Sequence, residues 1–177
     1  MPYPPLPRTL STARTLLVRP APAFAQQVHQ ALLHSYSLHQ PFLEWAKPDW
    51  TLDEVRDNLQ TSAETFHEPT KEKRYFVLAP DSGAVIGCIG LTPGDGAYEV
   101  GYWVNQACAG QGLMREALTC LLDAVAAPVW LTTAADNAAS QRLAERAGFA
   151  LTGHKHCDQQ PAAPRPLYRR GAPSAVA

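Results

Sequence analysis

The sequence has almost no net charge and no long apolar run. Its 177 residues include 15 Lys and Arg against 16 Asp and Glu, a formal charge of −1. Such a balance provides neither the basic face that binds nucleic acid nor a polybasic membrane patch. No apolar stretch approaches the roughly 18 residues of a membrane-spanning helix. We therefore expect no nucleic-acid partner and no membrane association.

The start of the sequence also lacks the apolar core of a secretory signal, so we expect a cytoplasmic protein. The four cysteines include no C-x-x-C pair, and we expect them to be reduced. His154, His156 and Cys157 lie close together in "HKHC". They are too few for a closed zinc site, so we expect no metal and interpret this segment as an exposed strand end.

The length suits one domain, because 46% of the residues are hydrophobic and no repeat or linker interrupts the chain. Prolines cluster towards both ends. We expect a loose N-terminal segment at residues 1–13, a single domain over 14–170 and a loose tail at 171–177.

Apolar spacing predicts an α/β protein with a mixed sheet and helices on both faces. Helical stripes follow Phe24, Leu52 and Leu113, and Thr51 with Glu54 fits a capping box. Asn137 and Gly148 fit the N-cap and the C′ position of a further helix. The predicted strands, about seven, are residues 15–20, 74–79, 84–91, 97–104, 128–134, 150–156 and 167–170.

Two glycines, Gly110 and Gly112, stand between a predicted strand and a predicted helix. Helix starts expose unpaired N–H groups, and glycines let an anion approach the backbone, so the turn fits a diphosphate. Arg115 replaces the third glycine of the dinucleotide fingerprint, and the P-loop G-K-[ST] is missing. A simple tight turn also fits. The expected binding residues are Ala109, Gly110, Gln111, Gly112, Leu113, Met114 and Arg115.

"GYWVNQACAGQGLMREAL" followed by "DNAASQRLAERAGF" resembles the GNAT superfamily of acyl-CoA N-acyltransferases, within it the RimJ/RimL branch. Gly110 and Gly112 match the glycine positions of the family's [QR]-x-x-G-x-[GA] motif. Ala107 departs from its first position, and Ala109 stands where arginine or glutamine is frequent. The branch's N-x-x-S matches Asn137 and Ser140, and its E-x-G-Y-W strand matches residues 99–103. The resemblance covers roughly residues 14–156.

This resemblance implies a GNAT-like, mostly antiparallel twisted sheet whose fourth and fifth strands, 97–104 and 128–134, splay apart. Acetyl-CoA would enter between them as co-substrate, with the backbone of Trp103 and Val104 bonding its pantetheine arm. Asn137 would bond pantetheine amides, and Ser140 would stabilise the departing thiolate. The last two residues also fit simple capping of a helix. An amine would attack the thioester directly, without a covalent enzyme intermediate.

Glu99 is the candidate catalytic base, acting directly or through one water, because amines are largely protonated at neutral pH. It also fits an exposed strand carboxylate or a partner of Arg115 or Arg142. Tyr102 lies on the opposite face of its strand and is expected in the core. Direct transfer disfavours Cys108 as a nucleophile.

Residues 37–46 resemble the branch's substrate-side segment. Its aromatic residues would line an amine pocket or pack the first helices onto the sheet, and its carboxylates would hold a cationic substrate. The expected substrate-binding residues are Phe42, Glu44, Trp45 and Trp50, with Asp49 and Asp53 as further carboxylates.

Together these features predict an acetyl-CoA-dependent N-acetyltransferase acting on a protein N-terminus or a small amine. A non-catalytic acyl-CoA sensor and an enzyme for a longer acyl-CoA remain alternatives. Glu99 and Ser140, both present, favour an enzyme. A homodimer is left open.

Overall fold

The structure is a computed structural model that describes residues 3–157 and 160–172. Within them, eight strands form one sheet in the order β1-β2-β3-β4-β5-β6-β8-β7. Neighbours are antiparallel except β5 and β6, which are parallel. The strands are β1 (Thr9–Ser11), β2 (Leu16–Val18), β3 (Lys73–Leu78), β4 (Val85–Pro93), β5 (Tyr98–Val104), β6 (Val129–Thr132), β7 (Ala150–Cys157) and β8 (Gln160–Arg170).

Helices cover both faces of this sheet, as the sequence predicts. One apolar cluster joins α1 and α3 to the sheet and includes Val28, Leu59 and Cys88. A second cluster joins α4 and α5 to the other face and includes Leu118 and Ala144. In the described ranges, no helix is long and apolar enough to cross a membrane. The helices are α1 (Ala25–His34), α2 (Tyr36–His39), α3 (Leu52–Thr65), α4 (Leu113–Ala124) and α5 (Ala138–Arg146).

The N-terminal segment differs from the expected loose chain over residues 1–13. Thr9–Ser11 pair with Leu16–Val18 and add an edge strand to the sheet. The ring of Tyr3 lies 4.3 Å from that of Tyr98, and its hydroxyl donates to the Gly94 carbonyl at 2.6 Å. Prolines obscured this strand in the sequence, whereas the packing of an aromatic ring fixes the segment in space.

The last strand is also longer than predicted, because β8 begins at Gln160 and not at residue 167. The register with β6 covers Leu167 to Arg170, and the Thr133 N–H after β6 still donates to the Pro166 carbonyl. In the described residues, the earlier, proline-rich part of β8 pairs only with β7. Proline lacks an N–H, which a strand tolerates where one side has no partner. Of the expected tail at 171–177, only residues 171 and 172 lie within the described ranges.

The parallel contact between β5 and β6 is short. The register joins Tyr98 to Val129 and Glu99 to Trp130, and in the described chain no later residue of β5 pairs with β6. By contrast, β5 pairs with β4 along its whole length, from Tyr98 to Val104. Residues 100–104 therefore keep one edge of backbone groups free of a strand partner. Splaying of the two strands remains a prediction, and this short register favours it.

The capping box of α3 generates a prediction about stability. The N–H of Glu54 donates to Thr51 Oγ1 at 3.2 Å, and the N–H of Thr51 donates to Glu54 Oε2 at 2.8 Å. We expect Thr51→Ala to lower the free energy of unfolding by about 1 kcal/mol, measured by urea denaturation. Thr51→Ser keeps the oxygen and should retain most of the stability. Equal stability of the alanine variant and the unmodified protein would contradict this.

Candidate active site

The glycine turn between β5 and α4 is left-handed at both glycines. Gly110 has φ +75° and Gly112 has φ +76°. A Cβ placed at Gly110 would meet no atom within 4 Å, so conformation and not space selects glycine there. The turn is thereby open towards solvent and leads directly into α4 at Leu113.

The start of α4 offers its backbone N–H groups to a ligand. Thr51 and Asn137 cap α3 and α5 with side-chain oxygens, whereas the N-cap of α4 is Gly112, which has no side chain. The first intrahelical bond runs from the Glu116 N–H to the Gly112 carbonyl at 3.1 Å. The N–H groups of residues 113–115 precede it and have no acceptor inside the helix. This arrangement suits an anion.

A carboxylate in the first turn of α4 is neutralised by a distant arginine. Glu116 Oε2 accepts from Arg14 Nε and Nη2, both at 2.8 Å, and Oε1 accepts from Thr12 Oγ1. The hydrogen bonds from Thr12 and Arg14 lower the pKa of Glu116. Arg14 Nη1 also donates to the Gln111 carbonyl at 3.1 Å. Sequence analysis missed Arg14, because it lies almost a hundred residues away on the β1–β2 turn.

Tyr102 links β5 to α5 through Ser140. Its hydroxyl lies 3.0 Å from both the carbonyl and the hydroxyl of Ser140. Burial raises the pKa of Tyr102 to about 12, against the opposing effect of the Ser140 hydrogen bond, so the phenol is neutral at physiological pH. The sequence predicted a core residue, but the hydroxyl contacts a predicted catalytic side chain. The alternation of side chains along β5 indicated which face Tyr102 occupies, but not which residue it contacts there.

The predicted helix-start residues of α5 also occupy the side of the sheet that carries Tyr102. Asn137 Oδ1 accepts from the Ser140 N–H at 3.2 Å, which confirms the predicted cap. Trp103 and Val104 follow on β5, beyond the last residue paired with β6. The structure therefore brings the end of β5, the glycine turn and the start of α5 onto neighbouring elements.

A cavity of about 360 Å³ lies between the sheet and the α1–α3 layer. Of the predicted substrate-binding residues, Trp45 and Trp50 line it, whereas Phe42 and Glu44 do not and Leu43 does. A substrate-binding role for all four residues stays a prediction. Two successive N–H groups bond to the His39 carbonyl. In this turn Leu43 faces the cavity and Glu44 is exposed.

His39 joins the cavity to β5, and sequence analysis missed it. It is 4% exposed, and its Nε2 lies 2.8 Å from the Val104 carbonyl. Its ring packs edge-on to Trp45 and Trp103. Burial lowers the pKa of His39 more than the bond to Val104 raises it, so the neutral ring donates its Nε2–H to that carbonyl. The apolar surroundings in the sequence gave no sign of this bond.

A partly exposed ion pair lines the cavity, again unpredicted. Arg74 Nη2 lies 2.6 Å from Glu72 Oε2, and Arg74 Nη1 donates to Asn58 Oδ1 at 2.7 Å. All three residues line the cavity. Their signal in the sequence was the i, i+2 spacing of two charges at the start of a strand, which places both on one face.

Glu99 is exposed and does not line this cavity, although it shares a strand face with Gly101 and Trp103. Within residues 3–157 and 160–172, no ion pair joins it to Arg115 or Arg142. Its role as a base stays a prediction.

The remaining candidates lie apart from the cavity lining. Asp53 pairs with Arg56 at 2.7 Å, and Asp49 is exposed. Burial raises the pKa of Cys108, which opposes thiolate formation there. His154 and His156 are exposed, and the described residues contain no cluster of three or more metal-binding side chains. Cys88, Cys108 and Cys120 are free thiols, whereas the side chain of Cys157 lies outside the described part.

Comparison with known proteins places this geometry in context. The sequence model of the acetyltransferase (GNAT) domain matches residues 14–150. A search of curated proteins finds no match. Among solved structures, RimL, a ribosomal L7/L12 α-N-protein acetyltransferase in complex with coenzyme A, has a TM-score of 0.80 at 20% identity over 94% of this chain and 97% of its own.

Two further structures have the same fold. The microcin C7 self-immunity acetyltransferase MccE, in complex with acetyl-CoA and AMP, has a TM-score of 0.79 at 15% identity, covering 90% of this chain and 93% of its own. An acetyltransferase from Salmonella typhimurium that modifies the N-terminal serine of ribosomal protein L7/L12 has a TM-score of 0.78 at 19% identity. That match covers 92% of this chain and 97% of the other.

The glycine turn generates a binding prediction. We expect Gly112→Val to abolish coenzyme A binding in calorimetry, because a β-branched residue strains a φ of +76° and obstructs the helix amides. Gly83→Val is the matched control, since Gly83 has φ +69° but lies in the β3–β4 hairpin. It should lose comparable stability and keep its affinity for coenzyme A. Retained affinity in Gly112→Val would exclude this turn as the binding site.

Proposed function

Because the chain belongs to the GNAT acetyltransferase family, we propose that it transfers an acetyl group from acetyl-CoA directly to a primary amine. The observation that carries this proposal is the juxtaposition of two sets of free backbone groups. One set is the N–H groups at the start of α4, and the other is the edge of β5 beyond its contact with β6. An acyl-CoA thioester has a diphosphate, which the N–H groups would bind, and an amide-containing arm, which the strand edge would bind.

The diphosphate would bind the amides that follow Gly110 and Gly112. The family motif's side-chain positions are alanines here, Ala107 and Ala109, so the backbone and the helix dipole supply the attraction. Arg14, fixed at the same turn, pairs with Glu116 and so removes a charge from the first turn that would repel the diphosphate.

The pantetheine arm would lie along the free edge of β5 and bond to it as a further strand does. Of the two predicted residues, Val104 directs its main-chain groups to this edge, whereas the register with Cys88 turns those of Trp103 towards β4. His39 engages the Val104 carbonyl from the cavity side and holds that strand end in place. Asn137 uses its oxygen for the cap of α5, so its amide nitrogen remains available to a carbonyl of the arm.

The reaction requires three proton transfers. The ammonium form of the substrate loses a proton, by our proposal to Glu99 directly or through water, and the amine nitrogen attacks the thioester carbonyl carbon. The tetrahedral intermediate breaks its C–S bond, releases the second nitrogen proton to solvent and leaves an amide. The thiolate then takes a proton from solvent, while Ser140, bonded to the Tyr102 phenol, stabilises it by a hydrogen bond.

The acceptor class is the finer part of the proposal. Two structures of the same fold are described as acting on the N-terminus of a ribosomal protein, which supports a peptide N-terminus as acceptor. A small amine is the other candidate.

The test is coenzyme A release from acetyl-CoA across a panel of peptides, amino acids, polyamines and aminoglycosides. We expect at least one primary amine to accelerate thiol release, with the acetylated amine identified by mass. If acetyl-CoA binds and no amine raises release above hydrolysis, the protein is a sensor. If only longer acyl-CoA thioesters react, the acetyl assignment fails.

The proposed base generates a kinetic prediction. Glu99→Gln should lower kcat by about 100-fold, without change in acetyl-CoA affinity, because a general base contributes on that scale. The loss should be largest at low pH, where more of the amine is protonated. Glu64→Gln, an exposed carboxylate on α3, is the control and should keep the normal rate. An unaltered pH–rate profile in Glu99→Gln would assign proton removal to another group.

A further inference from the structure

Two glycines face each other across the floor of the aromatic cavity. The register of β4 and β5 places Gly90 opposite Gly101, and both line the cavity. A Cβ at Gly90 would overlap Glu72 Oε1 and lie 3.0 Å from Glu72 Cδ. At Gly101 a Cβ would meet nothing within 4 Å. The carboxylate of Glu72, the residue before β3, thus lies over the bare backbone of Gly90 on β4.

The carboxylate is held from one side only. Its Oε2 accepts from Arg74, whose other nitrogen donates to Asn58, so the guanidinium is fixed between two oxygens. For Oε1, no donor is found in the part of the chain that the structure describes. One oxygen of a positioned carboxylate therefore remains above the glycine floor, ready to accept from a ligand.

The walls around this oxygen are mostly apolar. Trp45, Trp50, Trp103 and Phe76 line the cavity, with aliphatic side chains from α1 and α3. The volume of about 360 Å³ lies at the small end of the range usual for ligand sites, about 300–1,000 Å³. Glu72 and Arg74 form an ion pair without net charge, so the described lining offers one carboxylate oxygen for an ammonium and no further negative charge for a second one. The site therefore favours one ammonium on a compact apolar group over a polyamine or an aminoglycoside.

We propose that Glu72 binds the ammonium group of the acceptor, and that this acceptor carries its primary amine next to an aromatic or bulky apolar group. The inference rests on the proposed function and names its substrate class. Both a small arylalkylamine and a peptide whose first residue is aromatic have this chemistry.

The location of Glu72 suits a division of roles with Glu99. Trp103 borders the cavity and also belongs to β5, whose free edge is proposed to receive the thioester arm. An amine held over Gly90 and Gly101 therefore lies beside the strand that delivers the acetyl group. Glu99 is two residues from Gly101 on the same strand face, where it is exposed to solvent. Glu72 holds the ammonium, and Glu99 takes its proton.

The probes are phenethylamine and the dipeptide amide Phe-Ala-NH₂, compared with Gly-Ala-NH₂ and spermidine. We expect kcat/KM to be higher for both aromatic amines than for the other two by about tenfold or more, since a buried aromatic group adds that much affinity. The aromatic probe with the higher kcat/KM indicates whether the acceptor is a small amine or a peptide N-terminus. Equal or higher kcat/KM for spermidine or Gly-Ala-NH₂ would overturn the substrate class.

Glu72→Gln keeps the shape of the side chain and removes its charge. We expect the KM for phenethylamine to rise about tenfold or more, because a charge-assisted hydrogen bond is lost. The KM for acetyl-CoA should stay constant, and kcat should change much less than the KM for the amine. Glu64→Gln again serves as the surface control. An unchanged amine KM, or a loss confined to kcat, would overturn the proposal.

Gly90→Ala tests the same arrangement without altering Glu72, because its methyl group displaces the carboxylate. A folded Gly90→Ala protein should show the same rise in amine KM as Glu72→Gln, and a normal KM would count against the glycine floor. If this variant does not fold, Glu72→Gln alone decides. Failure of the proposed function is a different result, since acetyl-CoA would then bind while none of the four amines released coenzyme A.

Discussion

Backbone polar groups without partners are the constraint on which this structure depends. Folded chains pair nearly all such groups, and the described part of this one leaves two sets without a strand or helix partner on neighbouring elements. β5 loses its strand partner on one side after Glu99, where His39 bonds the Val104 carbonyl, and α4 begins behind a glycine that has no capping side chain. Gly110 and Gly112 are left-handed and place no side chain over the amides at the start of α4. The proposed coenzyme A site consists of these main-chain groups, which explains why side-chain departures such as Ala107 are tolerated.

Side chains on the two faces of β5 connect this backbone site to the elements packed on either side of the sheet. On one face, Tyr102 reaches Ser140 at the start of α5. On the other, Trp103 borders the aromatic cavity and packs against His39, which in turn holds the Val104 carbonyl. Because side chains alternate along β5, one face of this strand lies towards the proposed leaving group and the other towards the proposed acceptor.

The sequence predicted features whose cause is local. The Thr51 capping box and the cap at Asn137 depend on residues three apart, and the glycine turn depends on two nearby conformations, so each could be recognised before the structure was known. Glu72 and Arg14 could not, because their positions depend on strand register and on contacts with residues far away in the chain. The edge strand Thr9–Ser11 was missed for the same reason, since its pairing with β2 outweighs its proline-rich surroundings.

Hydrogen exchange of individual backbone amides, followed with and without coenzyme A, reports directly on whether these main-chain groups hold the ligand. We expect coenzyme A to slow exchange at residues 111–115 and at Val104, while amides of β1 and β7 are unaffected. Unchanged exchange at both the start of α4 and the end of β5, at a coenzyme A concentration that saturates the protein, would contradict it.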